Sequence, residues 1–425
     1  MNCHSRGVEY VWSFLLVASA VDAIDLGGGA LPVVLTPFLL LAAVFCGVAV
    51  FLMPVTSTGT RIRMNGPGHF VSDYGFLLWF VVVGTLSAVF VARDSLGAGI
   101  PRLFYLYWVA GFAVFFALGT RDRLPAIVLR ATTLYVVLDA AFIALQCCSV
   151  YFDIPVLANI TVVSVGDLFR LSGLTGDPNR AAMNLILMVG LRYLAVRETG
   201  GRGIGGWPSM AAIALSLLTL SRSGLIGLAT LLVALLAVSG VPFLGKLNRL
   251  AVTAAIGLAL GAGGMVFLSH SPVADTIKEA MVSDPLRESS TSIHLELLQR
   301  GLEMTVADPK TFIIGKGWGT EYEYTKDYFH DTKFGNFHSM FFSVLVQSGF
   351  AGLVPFLLLL LRPAWIGSRR VLLVPVILMG GIFYQMHGEP FWWIVVVLMN
   401  TTSGGKRPAT ERRPHSVMER AECTA

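Results

Sequence analysis

Twelve stretches of this chain are apolar for about the length that a bilayer demands, and no other feature restricts its fold so strongly. A spanning helix needs roughly 20 mostly apolar residues, because the hydrocarbon core is about 30 Å thick and holds no water for backbone polar groups. The runs cover approximately 8–24, 31–53, 71–92, 103–118, 126–152, 181–195, 208–221, 223–240, 250–269, 338–361, 371–387 and 389–401, the last pair reading also as one broken hairpin. Composition agrees: 55% hydrophobic and only 13% charged residues, with a mean hydropathy of +0.71, exclude an ordinary soluble domain. The 44 glycines are scattered through the apolar runs, which excludes a collagen-like chain. Cys3, Cys46, Cys147, Cys148 and Cys423 are too few and too dispersed for a disulfide framework or a metal site. The first run lacks a cleavage pattern and reads as a retained helix.

Lysine and arginine placement orients the helices, since cytoplasmic loops hold the excess. With the first helix running outward, inside segments carry eighteen of these residues; the short outside loops carry five, Arg93, Arg102, Arg170, Arg180 and Arg222. The expectation is an all-α polytopic membrane protein of about 12 transmembrane helices with both termini cytoplasmic. Residues 1–405 form one transmembrane domain. A large periplasmic loop, 270–337, lies between helices nine and ten as a partly helical lid, and a shorter outer loop spans 153–179. Residues 406–425 form a basic cytoplasmic tail drawn to anionic lipid.

This orientation gathers Arg170, Arg180, Arg222, His294, His338, His387 and Glu389 on the outer face, which points to a site there. Arg222, in Thr219-Leu-Ser221-Arg222-Ser223-Gly224, sits between two apolar runs with almost no loop. Burying its charge is costly, so it reads either as an anion clamp with Ser221 and Ser223 as further donors, or as a snorkelling turn residue. Gly224 would allow close helix approach. Asp177 reads as an N-cap and Pro178 as the first helical residue, which puts Arg180 in a first turn where the helix dipole disfavours a cation. Arg180 then either shares an anion with the helix N-terminus or pairs with Asp177 or lipid headgroups.

His338 opens an apolar helix, where the dipole favours a neutral imidazole able to accept a proton; the plainer alternative is an interfacial cap. Gly349, about three turns on, should return to nearly the same face, and with Gly352 allow another helix to pack closely. From Ser289 to Ala307, Ile293, Leu297, Leu298, Leu302 and Val306 recur at helical spacing, which predicts an amphipathic helix over the membrane. Asp308-Pro309 breaks it, and Phe312–Gly315 reads as a short extended piece entering a glycine turn that is no nucleotide fingerprint. Trp318, Tyr322, Tyr324, Tyr328 and Phe329 could line a sugar channel or anchor at the interface. Asp139, in the middle of the fifth run, reads as a protonated acid bonded to a neighbouring helix, or as a functional group. His387 and Glu389 either join the outer site or form a polar hairpin turn.

Together these segments resemble the O-antigen ligase and O-antigen polymerase family, bacterial membrane glycosyltransferases acting on undecaprenyl-diphosphate-linked glycans. Arg170-Leu-Ser-Gly with Asp177-Pro-Asn179, Thr219-Leu-Ser221-Arg222-Ser-Gly, and Asp308-Pro followed by Gly315-x-Gly317 are similar to family segments, in family order. His338-Ser339, nine residues, Gly349, two residues and Gly352 fits the ligase pattern. One departure is His294, which stands where many members have arginine; Arg287 or Arg300 could substitute, and this tips the balance toward a repeat-unit polymerase. The resemblance implies a GT-C-like fold in the bacterial inner membrane with a periplasmic active site that takes an undecaprenyl-diphosphate glycan donor. The acceptor would be a second glycan, giving O-antigen or exopolysaccharide, or lipid A-core in the ligase alternative, with a chain-length regulator as further partner. Arg170, Arg180 and Arg222 would bind the diphosphate, and His338 would act with Arg222 in catalysis. No metal, cofactor or nucleic acid is expected. A secondary transporter is the remote alternative; only Asp139 favours it, and the two halves show no similarity to each other.

Overall fold

The computed structural model describes residues 3–21, 36, 38, 40–44, 67–91, 96–152, 163–165, 168–201, 203–238, 289–325 and 337–401. Its helices are α1 (Cys3–Ala18), α2 (Pro67–Phe90), α3 (Leu96–Thr120), α4 (Leu124–Phe152), α5 (Pro178–Glu198), α6 (Trp207–Leu218), α7 (Arg222–Val238), α8 (Ser289–Val306), α9 (Pro309–Ile314), α10 (Glu321–Thr325), α11 (Met340–Trp365), α12 (Val374–Phe383) and α13 (Pro390–Asn400). The run at 250–269, Arg287, and the tail from 406 lie outside the described residues, as does most of 31–53.

Among the described residues four helices are long and apolar enough to cross a bilayer: α2, α3, α4 and α11. Parts of α1, α6, α7 and α13 make shorter apolar helices. α5 is different, being polar at both ends yet buried at every position from Ala181 to Leu191. Eleven successive buried residues cover all faces of a helix, so α5 is enclosed by its neighbours α4, α6 and α7. α13 is likewise buried along its whole length. Phe80, Phe356, Trp392 and Trp393 pack as a cluster of tilted, stacked and edge-on rings between α2, α11 and α13.

Contacts between helix ends show which ends of the described helices lie together. At one end Arg180 reaches Glu389, Ser339 reaches Gly381, Ser221 reaches Asn179, and Tyr105 reaches Gly388. At the other, Arg362 pairs with Asp73 at 3.0 Å, Arg370 with Glu198 at 3.4 Å, and Glu9 with Arg130. The start of α1 and the end of α13 therefore lie at the same end of the bundle. The starts of α5, α7, α11 and α13 all lie at the opposite one.

Three local expectations are corrected. The segment 153–179 contains a small antiparallel strand pair, Val163–Val165 with Leu168–Arg170, so among the described residues the fold is helical but for this hairpin. Residues 309–314 are helical rather than extended, because Asp308 caps them: its carboxylate accepts from Lys310 N and Thr311 N, and Pro309 supplies a pre-set first residue. The penultimate apolar run begins as a 3-10 turn at Arg369–Leu373, and its α-helix ends at Phe383, leaving Tyr384–Glu389 as the connection at the polar end.

Candidate active site

The polar end is built around the start of α5. As the sequence implies, Asp177 caps that helix, accepting from Asn179 N at 2.7 Å and Arg180 N at 3.1 Å, with Pro178 first. The preceding loop is fastened to α4. Asp139 Oδ1 accepts from Leu174 N at 2.8 Å, Gln146 Oε1 accepts from Gly173 N at 3.0 Å, and Gln146 Nε2 donates to Ser172 Oγ at 3.1 Å. The partner of Asp139 is thus loop backbone, not a neighbouring helix. It holds in place the segment that carries Arg170.

Asn179 is the hub of the arginine cluster. Its Oδ1 accepts from Arg170 Nη2 at 3.1 Å, from Ser221 Oγ at 2.8 Å and from Ser223 Oγ at 3.3 Å. The two serines flank Arg222, the first residue of α7, so the Arg222 backbone is held against the same hub as Arg170. Ser221 and Ser223 therefore serve Asn179 and are not aimed outward as extra anion donors. Gly224 permits this approach, since a Cβ there would lie 2.5 Å from Ala182 Cβ.

Arg180 turns the other way. Its Nη2 pairs with Glu389 Oε1 at 3.0 Å and its Nε donates to Tyr384 Oη at 2.9 Å. Its guanidinium partner inside the fold is Glu389, in the α12–α13 connection, which was not among the pairings expected. Burial pushes the Glu389 carboxyl up against the pull of Arg180. Next to it His387 is buried, and that burial pushes its imidazole down to about 4, which keeps the ring neutral. Its Nε2 lies 3.5 Å from Gln385 Nε2.

His338 immediately precedes α11, whose N-cap position is Ser339. His338 has φ 51°, a left-handed backbone that few non-glycine residues adopt. The expected return of Gly349 to the same helical face fails, because α11 is broken there: Gly349 has φ 60° and ψ −166°. The break explains both glycine motifs at once. The carbonyls freed at Val346 and Gln347 accept from Lys316 N at 2.7 Å and Gly317 N at 3.1 Å. A Cβ on Gly315 would lie 2.5 Å from Gln347 O, and one on Gly349 would meet the Ile313 carbonyl. Gly315-x-Gly317 and Gly349 are two halves of one interlock that docks the large loop into α11.

That interlock leads into a group the sequence reading missed. Glu321, at the start of α10, is buried, and its carboxylate accepts from Phe337 N at 3.0 Å, from Ser343 Oγ, from Gln347 Nε2 at 2.9 Å and from Gln385 Nε2 at 2.9 Å. Burial pushes this carboxyl up, and the hydrogen bonds oppose the shift. The available signal was Ser343 and Gln347, one turn apart on a largely apolar helix, two polar side chains that needed a buried partner.

The remaining loop candidates are less central. α8 has nearly the bounds expected, but its buried side is Leu297, Gly301 and Thr305, while Leu302 and Val306 are exposed. His294 belongs to that helix, and Arg300 is exposed on it. Trp318 is buried against Phe80 and His387, which makes it core and not channel lining. Tyr324 packs with Leu297 and Phe337. Tyr328 and Phe329 lie outside the described residues. A small apolar pocket between Pro125, Leu194, Leu373 and Met399 lies at the opposite end, remote from these groups.

Apolar helices packed around α5 define a polytopic membrane protein, with Arg170, Arg180, Arg222 and His338 brought to the same end of the bundle. Residues 208–357 match the family model described as O-antigen ligase. Arg222, His294, Arg300, Glu321, His338, Gly349 and Gly352 lie within the matched stretch, whereas Arg170, Arg180, His387 and Glu389 lie outside it. A search of curated proteins gives no match.

Proposed function

We propose that the chain is a glycosyltransferase of the bacterial inner membrane whose polar end faces the periplasm. It transfers glycan from an undecaprenyl-diphosphate donor to a growing cell-surface polysaccharide. Breaking the bond at the anomeric carbon leaves the electron pair, and hence negative charge, on the departing lipid diphosphate. Arg170 and Arg222 stabilise that charge, since guanidinium stays ionised and binds phosphate in a bidentate fork. His338 accepts the proton of the acceptor hydroxyl as that oxygen bonds to the anomeric carbon. Arg180 contributes through its pair with Glu389, which fixes the α12–α13 connection beside the cluster. A chain-length regulator is the further partner this activity calls for.

The observation that carries this reading is the joining of Arg170 and the Arg222 backbone through Asn179, at the end of the bundle where His338 also lies. Replacing Arg222 or His338 by alanine should lower transfer by about 10²-fold or more while protein stays in the membrane. Normal long-chain polysaccharide in both variants would refute it. The presence of His294 where many relatives have arginine favours a polymerase; the family description favours the second reading, a ligase with lipid A-core as acceptor. A deletion strain separates them: loss of a polymerase leaves acceptors bearing single repeats, loss of a ligase leaves them bare.

A further inference from the structure

The chemistry proposed above gives no role to Glu321, a buried acid at the polar end. Glu321 draws donors from three places in the chain: Phe337 N from the lead-in to α11, Ser343 and Gln347 from α11 itself, and Gln385 from the α12–α13 connection. Every one of these partners donates, so only an ionised carboxylate can accept from all four. The network also closes on its own loop, because Gln347 Oε1 accepts from Gly319 N at 2.8 Å.

These bonds converge on one short piece of backbone. His338 is held in its left-handed conformation from both sides: Phe337 N, just before it, is fixed by Glu321 Oε1, and Ser339 Oγ, just after it, donates to Gly381 O at 3.3 Å. Phe337 itself is wholly buried, packed with Leu297 and Val346. A disfavoured backbone conformation persists only where its surroundings over-determine it, and such positions gather at functional sites.

We propose that Glu321 is a positioning residue whose carboxylate fixes the turn that presents His338 to the acceptor hydroxyl. This rests on the role given to His338 above. Glu321 touches no reacting atom; it acts through the backbone of Phe337 and the first turns of α11. Its loss should therefore slow proton acceptance without weakening the arginine contacts to the donor.

The test uses purified full-length protein with lipid-linked donor. Glu321→Gln keeps the shape but sets an amide donor against the amides of Gln347 and Gln385, so kcat should fall by about tenfold or more, the equivalent of losing a hydrogen bond to a charged group. KM for the donor should stay as in the native protein. The exchange variant E321Q/Q347E returns a carboxylate to the pair, still able to accept from Gly319 N, and should recover part of the lost kcat. Ser343→Ala and Gln385→Ala each remove one donor and should give smaller falls in kcat. If Glu321→Gln is not recovered folded, these two decide, and native kcat in both overturns the proposal. It is also overturned if Glu321→Gln retains kcat within about twofold, or if its whole loss lies in KM. His338→Ala in parallel separates the two levels. Transfer retained there removes the reading on which this one rests; transfer lost there with native kcat in Glu321→Gln removes only the role of Glu321.

Discussion

Gly349→Ala puts the interlock between the large loop and α11 to a quantitative test. The native φ 60° and ψ −166° lie in a region open essentially to glycine, so alanine there costs about 1–3 kcal/mol before any contact is counted. The added methyl would also meet the Ile313 carbonyl and come within 2.5 Å of Ile314 N, backbone atoms that no rotamer change can move. Backing α9 away to make room stretches the bonds from Lys316 N to Val346 O and from Gly317 N to Gln347 O, each contributing about 0.5–1.5 kcal/mol. The total loss is about 2–6 kcal/mol. Gly352→Ala offers the contrast. Its methyl would meet Ser348 Oγ, which can rotate, and Ser348 Cβ at 2.5 Å, which cannot, but no positive φ and no interlock bond is involved, so its cost should be smaller. Gly111→Ala meets nothing within 4 Å inside α3 and should be neutral or stabilising by about 0.5–1 kcal/mol. Denaturation midpoints of the three variants in one detergent should rank Gly349→Ala far below Gly352→Ala, with Gly111→Ala highest. A Gly349→Ala variant that unfolds at the native midpoint refutes the interlock.

Asp139→Asn keeps the oxygen that accepts from Leu174 N, so glycan transfer should survive it, whereas Asp139→Leu leaves that buried donor unpaired at about 1–3 kcal/mol and should loosen the Arg170 segment. Proton-coupled substrate uptake into vesicles that vanishes in Asp139→Asn would instead revive a transporter. His387, held neutral with its pKa depressed to about 4, binds fewer protons folded than unfolded at pH values between that point and its ordinary value of about 6.5. Its contribution is therefore complete above about pH 6.5 and is lost as pH falls toward 4. Stability measured across that window should flatten in His387→Gln; an unchanged acid slope would show that other groups set it.

Signals that depend on a few neighbouring residues were legible in the sequence. Asp177-Pro178 starts α5 as its chemistry requires, Gly224 lies where α7 presses on α5, and the periodicity from Ser289 gives α8 almost to the residue. What escaped were contacts made by distant segments. Phe312-Ile-Ile reads as extended by residue type, yet the Asp308 cap and the docking against Gly349 make it helical. The His338–Gly349 spacing suggests a continuous helix, but the incoming Gly315 turn supplies donors that reward breaking it. Glu321 looks like one of several loop acids until Ser343, Gln347 and Gln385, up to 64 residues away, are brought to it.

The arginines of the two ends differ in a way that helix electrostatics makes intelligible. At the end opposite the site, Arg362 donates to Asn400 O, and Arg370 donates to Leu398 O and to Thr401 O at 3.0 Å, so both sit on the last carbonyls of α13. Cations belong there, because a helix C-terminus carries unsatisfied acceptors and partial negative charge. At the site end the geometry is reversed: Arg180 and Arg222 stand in the first turns of α5 and α7, where the dipole opposes them. The fold meets this for Arg180 with an internal anion, Glu389. Beside the Asn179 cluster, Asp177 caps its own helix through two backbone N–H groups and also feels the charge of Arg170. On the proposed reading, the donor diphosphate binds at this end and gains from guanidinium charge and from the positive helix ends. Binding of inorganic diphosphate should then weaken as salt rises, and weaken further in Arg222→Ala. Equal binding by the native protein and that variant across a salt series would leave the dipole argument with no ligand to explain.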